Sequence, residues 1–121
     1  MTEVKNHLLL LEKPFVIKSN EPKAEGLAPT EYVVEWTDKG GYTSSAKIVF
    51  QDGPVPENGY NGVIDEALTV ILMDRLKHWQ AGPYRNRENA LALTALEESM
   101  LWRVNRTLER KARNVEGTHQ A

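Results

Sequence analysis

The chain is 121 residues long, enough for one compact domain with a modest core. Its net charge of −2 and pI near 5.9 argue against a protein that coats nucleic acid nonspecifically, because such proteins carry a large basic excess. Cysteine is absent, which excludes disulfides, thiolate metal sites and a cysteine nucleophile.

The apolar run from His7 to Leu11 stops at Glu12-Lys13-Pro14, too short for a membrane-spanning helix or a signal peptide, so a soluble cytoplasmic protein is expected. The first thirty residues carry little pattern. Phe15-Val16-Ile17 is a candidate strand, and residues 20–26 read as a flexible connection that only pairing would order. Between Thr30 and Phe50, Tyr32, Val34 and Trp36 alternate with Glu31, Val33 and Glu35, and residues 46–51 contain Ile48-Val49-Phe50. Asp38-Lys39-Gly40-Gly41 sits between these stretches as a turn, which predicts a β-hairpin. Residues 52–59 hold two prolines and two glycines and read as a loop.

The period then changes. Ile64, Leu68, Ile71, Leu72, Leu76 and Trp79 fall three or four apart, predicting an amphipathic helix over 63–80 that stops at Ala81-Gly82-Pro83-Tyr84. Asn86 is the expected N-cap of a second helix reaching about Lys111, with Leu93, Leu96, Met100, Val104 and Leu108 as its apolar line. So short a connection implies an antiparallel hairpin. A second line of Ala92, Ala95 and Ser99, ending at Trp102, would let another helix approach closely. One hairpin cannot cover both lines, so packing against a second copy is expected. The predicted fold class is α+β: a small N-terminal antiparallel β-hairpin or sheet, then a long antiparallel α-helical hairpin, oligomeric. The expected organisation is a single domain over 1–121, β-rich over 1–51 and helical over 52–121.

Arg103, Arg106, Arg110 and Arg113 lie three, four and three residues apart on the second helix, which stacks them on one face. Residues 85–113 carry seven Lys/Arg against four Asp/Glu, so the positive field belongs to this segment. Guanidinium groups suit phosphates, although a solvated ridge without a ligand would show the same spacing. The hairpin apex adds Trp79, Tyr84, Arg85, Arg87 and Asn89: aromatic faces, cations and an amide able to read a base edge. Trp79 also continues the apolar period of its helix, and Asn89 lies where it could only be capping backbone groups. Asn89 and Arg106 are 17 residues apart, about 25 Å by helical rise, and cannot touch one small ligand within one chain. Antiparallel packing of two copies would bring the apex of one to the arginine ridge of the other, twice by symmetry. Catalysis finds little support: His7, His78 and His119 are scattered, no serine sits in a nucleophile elbow, and Glu97 and Glu98 diverge by about 100°. No metal and no cofactor are expected.

From Phe50 onward the blocks FQDGP, NGV, DRLKHWQAGPYRNRENALALTALEE, RVNRTLERKAR and VEGTH resemble those of small phage proteins sharing a helical-hairpin domain. These are the anti-Thoeris signal sponges of the first described type and their relatives, the anti-CBASS cyclic-nucleotide sponges. The resemblance implies a noncatalytic protein that sequesters a cyclic ADP-ribose isomer, glycocyclic ADP-ribose, made by bacterial TIR-domain proteins in the infected host cell. By position it implies that Trp79 stacks on adenine, that Asn89 is the polar base partner, and that Arg106 and Arg110 face the phosphates and riboses. Tyr84, Arg87, Arg103 and Arg113 are supporting candidates. It further implies a homohexamer built as a trimer of dimers, some members binding cyclic di- or trinucleotides at a separate site.

Two departures stand out. Trp79 stands where phenylalanine is usual, and Asn114 where glycine usually precedes VEGT; asparagine tolerates the left-handed conformation a helix end requires. Residues 1–49 are more similar to the β-stranded anti-Thoeris type than to the nearly all-helical anti-CBASS type. The alternatives are a sponge mainly for cyclic di- or trinucleotides, a small nucleic-acid-binding regulator using the ridge on phosphates, and an assembly protein whose tryptophans and arginines only make an interface.

Overall fold

A computed structural model of the chain describes residues 1–11 and 14–114, without the side chains of Leu9 and Leu10. The VEGTH block and His119 lie outside the described residues. The chain divides into two compact units, one formed by residues 1–52 and 60–62, the other by residues 53–59 and the chain from 63 onward.

The first unit is an antiparallel four-stranded sheet in the order β1 (Thr2–Glu3), β2 (Phe15–Ser19), β3 (Glu31–Thr37), β4 (Thr43–Val49). The expected hairpin is β3–β4, with Tyr32 opposite Ile48 and Trp36 opposite Ser44. Its turn is closed by Asp38, whose Oδ1 accepts from the Gly40 and Tyr42 N–H groups at 2.9 and 3.0 Å. Gly41 supplies the left-handed residue there, at φ 87°. Pairing of β2 with β3 puts Phe15, Ile17, Tyr32, Val34 and Trp36 on one face, and Phe15 and Trp36 meet with ring centroids 6.3 Å apart. On the other face Lys18 pairs with Glu35 at 2.7 Å and Lys47 with Glu31 at 3.5 Å.

Sequence patterning misses two elements here, the two-residue strand β1 and a 3-10 helix over His7–Leu11. The connection after β2 does find the pairing it needed. Asn20 Oδ1 accepts from the Thr30 and Glu31 N–H groups, both at 3.1 Å, and the Asn20 N–H donates to the Glu31 carbonyl at 3.1 Å. One amide side chain thus ties together both ends of the segment.

The proline-rich stretch is a correction. Instead of a plain loop it contains a short helix, α1 (Val55–Asn58). Pro56 falls in its first turn, where a missing N–H costs no intrahelical bond. Gly59 ends the turn at φ 66° and donates to the Val55 carbonyl at 2.8 Å. A little further on, Gly62 lies so close to the Phe50 backbone that a Cβ would collide with its carbonyl.

The second unit is the helical hairpin of α2 (Asp65–Gln80) and α3 (Arg87–Ala112). Both bounds fall within two residues of the periodicity reading. The 26 residues of α3 extend about 39 Å. Asn86 caps it as expected, its Oδ1 accepting from the Asn89 N–H at 2.7 Å, and Asn114 beyond its end adopts φ 59°. Arg103 reaches Asp65 at 3.2 Å and Glu66 at 3.5 Å, which ties the start of α2 to the later half of α3 and makes the pair antiparallel.

Half-buried residues mark the seam: Thr69, Met73, Leu76 and Gln80 on α2, Leu93, Leu96, Met100 and Thr107 on α3. This seam coincides only partly with the apolar lines read from the sequence. Leu76, Leu93, Leu96 and Met100 lie in it, whereas Ile64, Ile71, Leu72, Val104 and Leu108 are exposed. The small-residue line is exposed too, and Trp102 on it is 68% exposed. No helix among the described residues is long and apolar enough to cross a membrane.

Candidate functional site

The apex of the hairpin is shaped by two amide side chains. Gln80, at the last position of α2, donates from Nε2 to the Asn86 carbonyl at 3.0 Å and accepts the Asn86 N–H on Oε1 at 3.1 Å. Asn86 in turn donates from Nδ2 to the Tyr84 carbonyl at 3.2 Å while capping α3. This double bracket fixes the turn between the helices and sets Tyr84 against Trp79. Their rings meet edge to face, with centroids 5.7 Å apart and planes at 87°.

Beside them opens a shallow cleft of about 460 Å³, lined by Trp79 and Tyr84, by Gly82 and Pro83 of the turn, and by Asp74, Arg75 and His78 of α2. Trp79 is 43% exposed and Tyr84 70%. Neither ring is spent on a core, so both are available to an aromatic ligand. His78 Nε2 lies 3.6 Å from Asp74 Oδ2, one helical turn away. Among the described residues, Arg75 has no carboxylate partner. Asp74, Arg75 and His78 went unread as cleft residues. The available signal was spacing along α2: Arg75 stands four residues before Trp79, Asp74 four before His78, and His78 is next to Trp79, so all three belong to the last turns of the helix.

The other expected ligand residues are placed differently. Asn89 is half-buried in the first turn of α3; its N–H is taken by Asn86, and among the described residues its side-chain amide makes no hydrogen bond. Arg87 is exposed at the start of α3. The arginine ridge is not uniform. Arg103 is committed to Asp65 and Glu66, and Arg113 pairs with Glu109 at 2.8 Å. Arg110 is buried, at 7% exposure. Arg106 is exposed with no carboxylate partner among the described residues, which makes it the most available guanidinium of the four.

Within one chain the structure joins Trp79 to Tyr84 but leaves Arg106 and Arg110 far along α3, Arg106 about 25 Å of helix beyond Asn89. A chain therefore presents an aromatic cleft at one end of the hairpin and an exposed cation toward the other. No group of three or more His, Asp or Glu side chains among the described residues is placed to hold a metal ion.

Comparison with known proteins bears on what these features serve. Residues 43–107 match the Acb2/Tad1 hairpin domain, a span that covers β4, the apex and most of α3. The chain is also 36% identical to Thoeris anti-defense 1 of Bacillus phage SBSphiJ7 over 141 aligned positions, spanning 99% of each protein.

Proposed function

The chain belongs to the Acb2/Tad1 hairpin family of phage anti-defence proteins, and from that premise we propose that it is a noncatalytic sponge for a cyclic ADP-ribose isomer, glycocyclic ADP-ribose, that blocks Thoeris immunity. The observation that carries this reading is the exposed Trp79–Tyr84 pair beside an open cleft at the hairpin apex, together with a distant, exposed Arg106 that has no carboxylate partner among the described residues. Adenine stacks on Trp79 and is read by the side-chain amide of Asn89. Arg106, backed by Arg110, meets the phosphates and riboses. Tyr84 closes the aromatic wall.

Because these two groups of residues are too far apart in one chain, the complete pocket takes its apex from one copy and its arginines from another. The exposed apolar flanks of the hairpin support such packing: Ile71 and Leu72 on α2, Leu101 and Trp102 on α3 would all be left in water by a lone copy. A dimer has two such pockets, and dimers associate further into a homohexamer. Binding without turnover needs no general acid or nucleophile, in keeping with a cleft whose histidine and carboxylate are both open to solvent.

The test is capture and release. Incubation with a panel of cyclic ADP-ribose isomers and cyclic dinucleotides, removal of unbound ligand, and heat denaturation should return an intact cyclic ADP-ribose isomer to solution. A chemically altered product would replace the sponge by an enzyme. Return of a cyclic dinucleotide alone would move the protein to the cyclic-nucleotide branch, and no uptake at all would defeat the reading.

A further inference from the structure

We propose that Arg75 of α2 is the phosphate contact that the apex itself supplies, so that one chain holds a nucleotide unit by base and phosphate together before the partner's arginines engage. The inference rests on the sponge reading and adds to it a residue from the cleft side. Arg75 and Trp79 are one turn apart on α2, at positions i and i+4, and both line the cleft. Such neighbours have Cβ atoms about 5–6 Å apart on the helix surface, a spacing comparable to that between a base and the phosphate across one ribose. A base stacked on the indole therefore carries its phosphate to the guanidinium without crossing the hairpin.

Electrostatics favour the same assignment. The apex joins the C-terminus of α2 to the N-terminus of α3, opposite ends of two helix dipoles, so the backbone offers a phosphate no clear preference. A side chain must decide. Asp74 and His78 are the other ionisable groups of the cleft besides Tyr84, and they face one another at 3.6 Å. By helical rotation Arg75 lies about 40° from Trp79 around α2, whereas Asp74 lies about 140° away. Both residues line the cleft, but Arg75 is the nearer to Trp79 around the helix, whereas the Asp74 carboxylate lies beside His78. Unlike Arg103 and Arg113, Arg75 is committed to no carboxylate among the described residues, so binding a phosphate breaks no existing pair. The planar fork suits a pyrophosphate, which a lysine would meet only as a point charge.

The experiment compares the full-length protein with Arg75→Gln, Arg75→Lys and Trp79→Ala, titrated calorimetrically with whichever cyclic ADP-ribose isomer of the panel the parent protein binds most tightly, at low and high salt. Arg75→Gln should weaken binding about 10- to 100-fold, leave the melting temperature unchanged and flatten the salt dependence of affinity. Arg75→Lys should recover part of the affinity and the salt dependence. Parent-like affinity and salt dependence in Arg75→Gln, with binding lost in Trp79→Ala, would overturn the role of Arg75 and leave the sponge reading standing. A parent protein that takes up none of the isomers would overturn both.

Discussion

The composite pocket can be tested by subunit complementation between Asn89→Ala and Arg106→Ala. The two residues are 17 positions apart on α3, about 25 Å by helical rise, further than one small cyclic nucleotide can bridge. In either homo-oligomer every pocket lacks one group. A charge-assisted contact typically contributes about 1.5–3 kcal/mol, so Arg106→Ala should weaken capture about 10- to 100-fold. Loss of the neutral amide contact of Asn89, about 0.5–1.5 kcal/mol, should cost less, about 2- to 10-fold. In a mixed dimer, one pocket combines the intact Asn89 of one chain with the intact Arg106 of the other, and the second pocket loses both. Random exchange of equal amounts makes half of the dimers mixed, so about one quarter of all pockets should bind with parental affinity. Calorimetric titration after verified subunit exchange reads this directly, as a high-affinity phase with that stoichiometry. If both residues served one chain's pocket, no pocket in the mixture would be whole. Exchange without any high-affinity phase would refute the shared-site geometry.

Other outcomes follow from the same structure. Sedimentation or light scattering across micromolar concentrations should find at least a dimer, and a well-folded monomer throughout would remove the basis for the composite pocket. Trp79→Ala should weaken ligand capture by about 1–3 kcal/mol, the usual contribution of base–aromatic stacking. Because Trp79 is 43% exposed, melting should fall only modestly; a sharp fall with normal affinity per folded protein would make it a core residue. Gly62→Ala should destabilise the first unit by about 1–3 kcal/mol in chemical denaturation, because the new Cβ meets the Phe50 backbone, and an unchanged midpoint would contradict that approach. The Lys18 ammonium is raised above its ordinary value of 10.5 by its hydrogen bond to Glu35 and by the attraction of that carboxylate. A raised cation stabilises fully below its unfolded pKa and loses the effect as pH rises through the folded one. Any stability difference between the protein and Lys18→Met should therefore persist through neutral pH and fade above about pH 10.5, as alkaline melts can check.

Local chemistry was readable wherever one residue's own preferences decide the outcome. Asn86 was legible as an N-cap because its short amide satisfies an otherwise unpaired N–H of the first turn, and Asn114 as a helix end because asparagine tolerates positive φ. The turn at Asp38–Gly41 was legible for the same reason. Strand β1 was not, since two residues carry no period, and neither was α1, where prolines and glycines signal a loop but also allow one helical turn.

Periodicity alone identified both long helices and bounded them closely, because an apolar residue every three or four positions is a property of the chain itself. The family was legible too, carried by ordered blocks from Phe50 onward. Periodicity could not say which face of α2 meets α3. That rotation is set by the Gln80–Asn86 bracket across the turn and by Arg103 gripping Asp65 and Glu66, nearly forty residues earlier in the chain. The same tertiary choices turn Ile71, Leu72 and Trp79 outward, bury Arg110, and leave Arg106 exposed on a ridge whose four members look alike in the sequence. Residue type and spacing determined which groups could bind a nucleotide; only the packing of one helix on the other decided which of them remain free to do so.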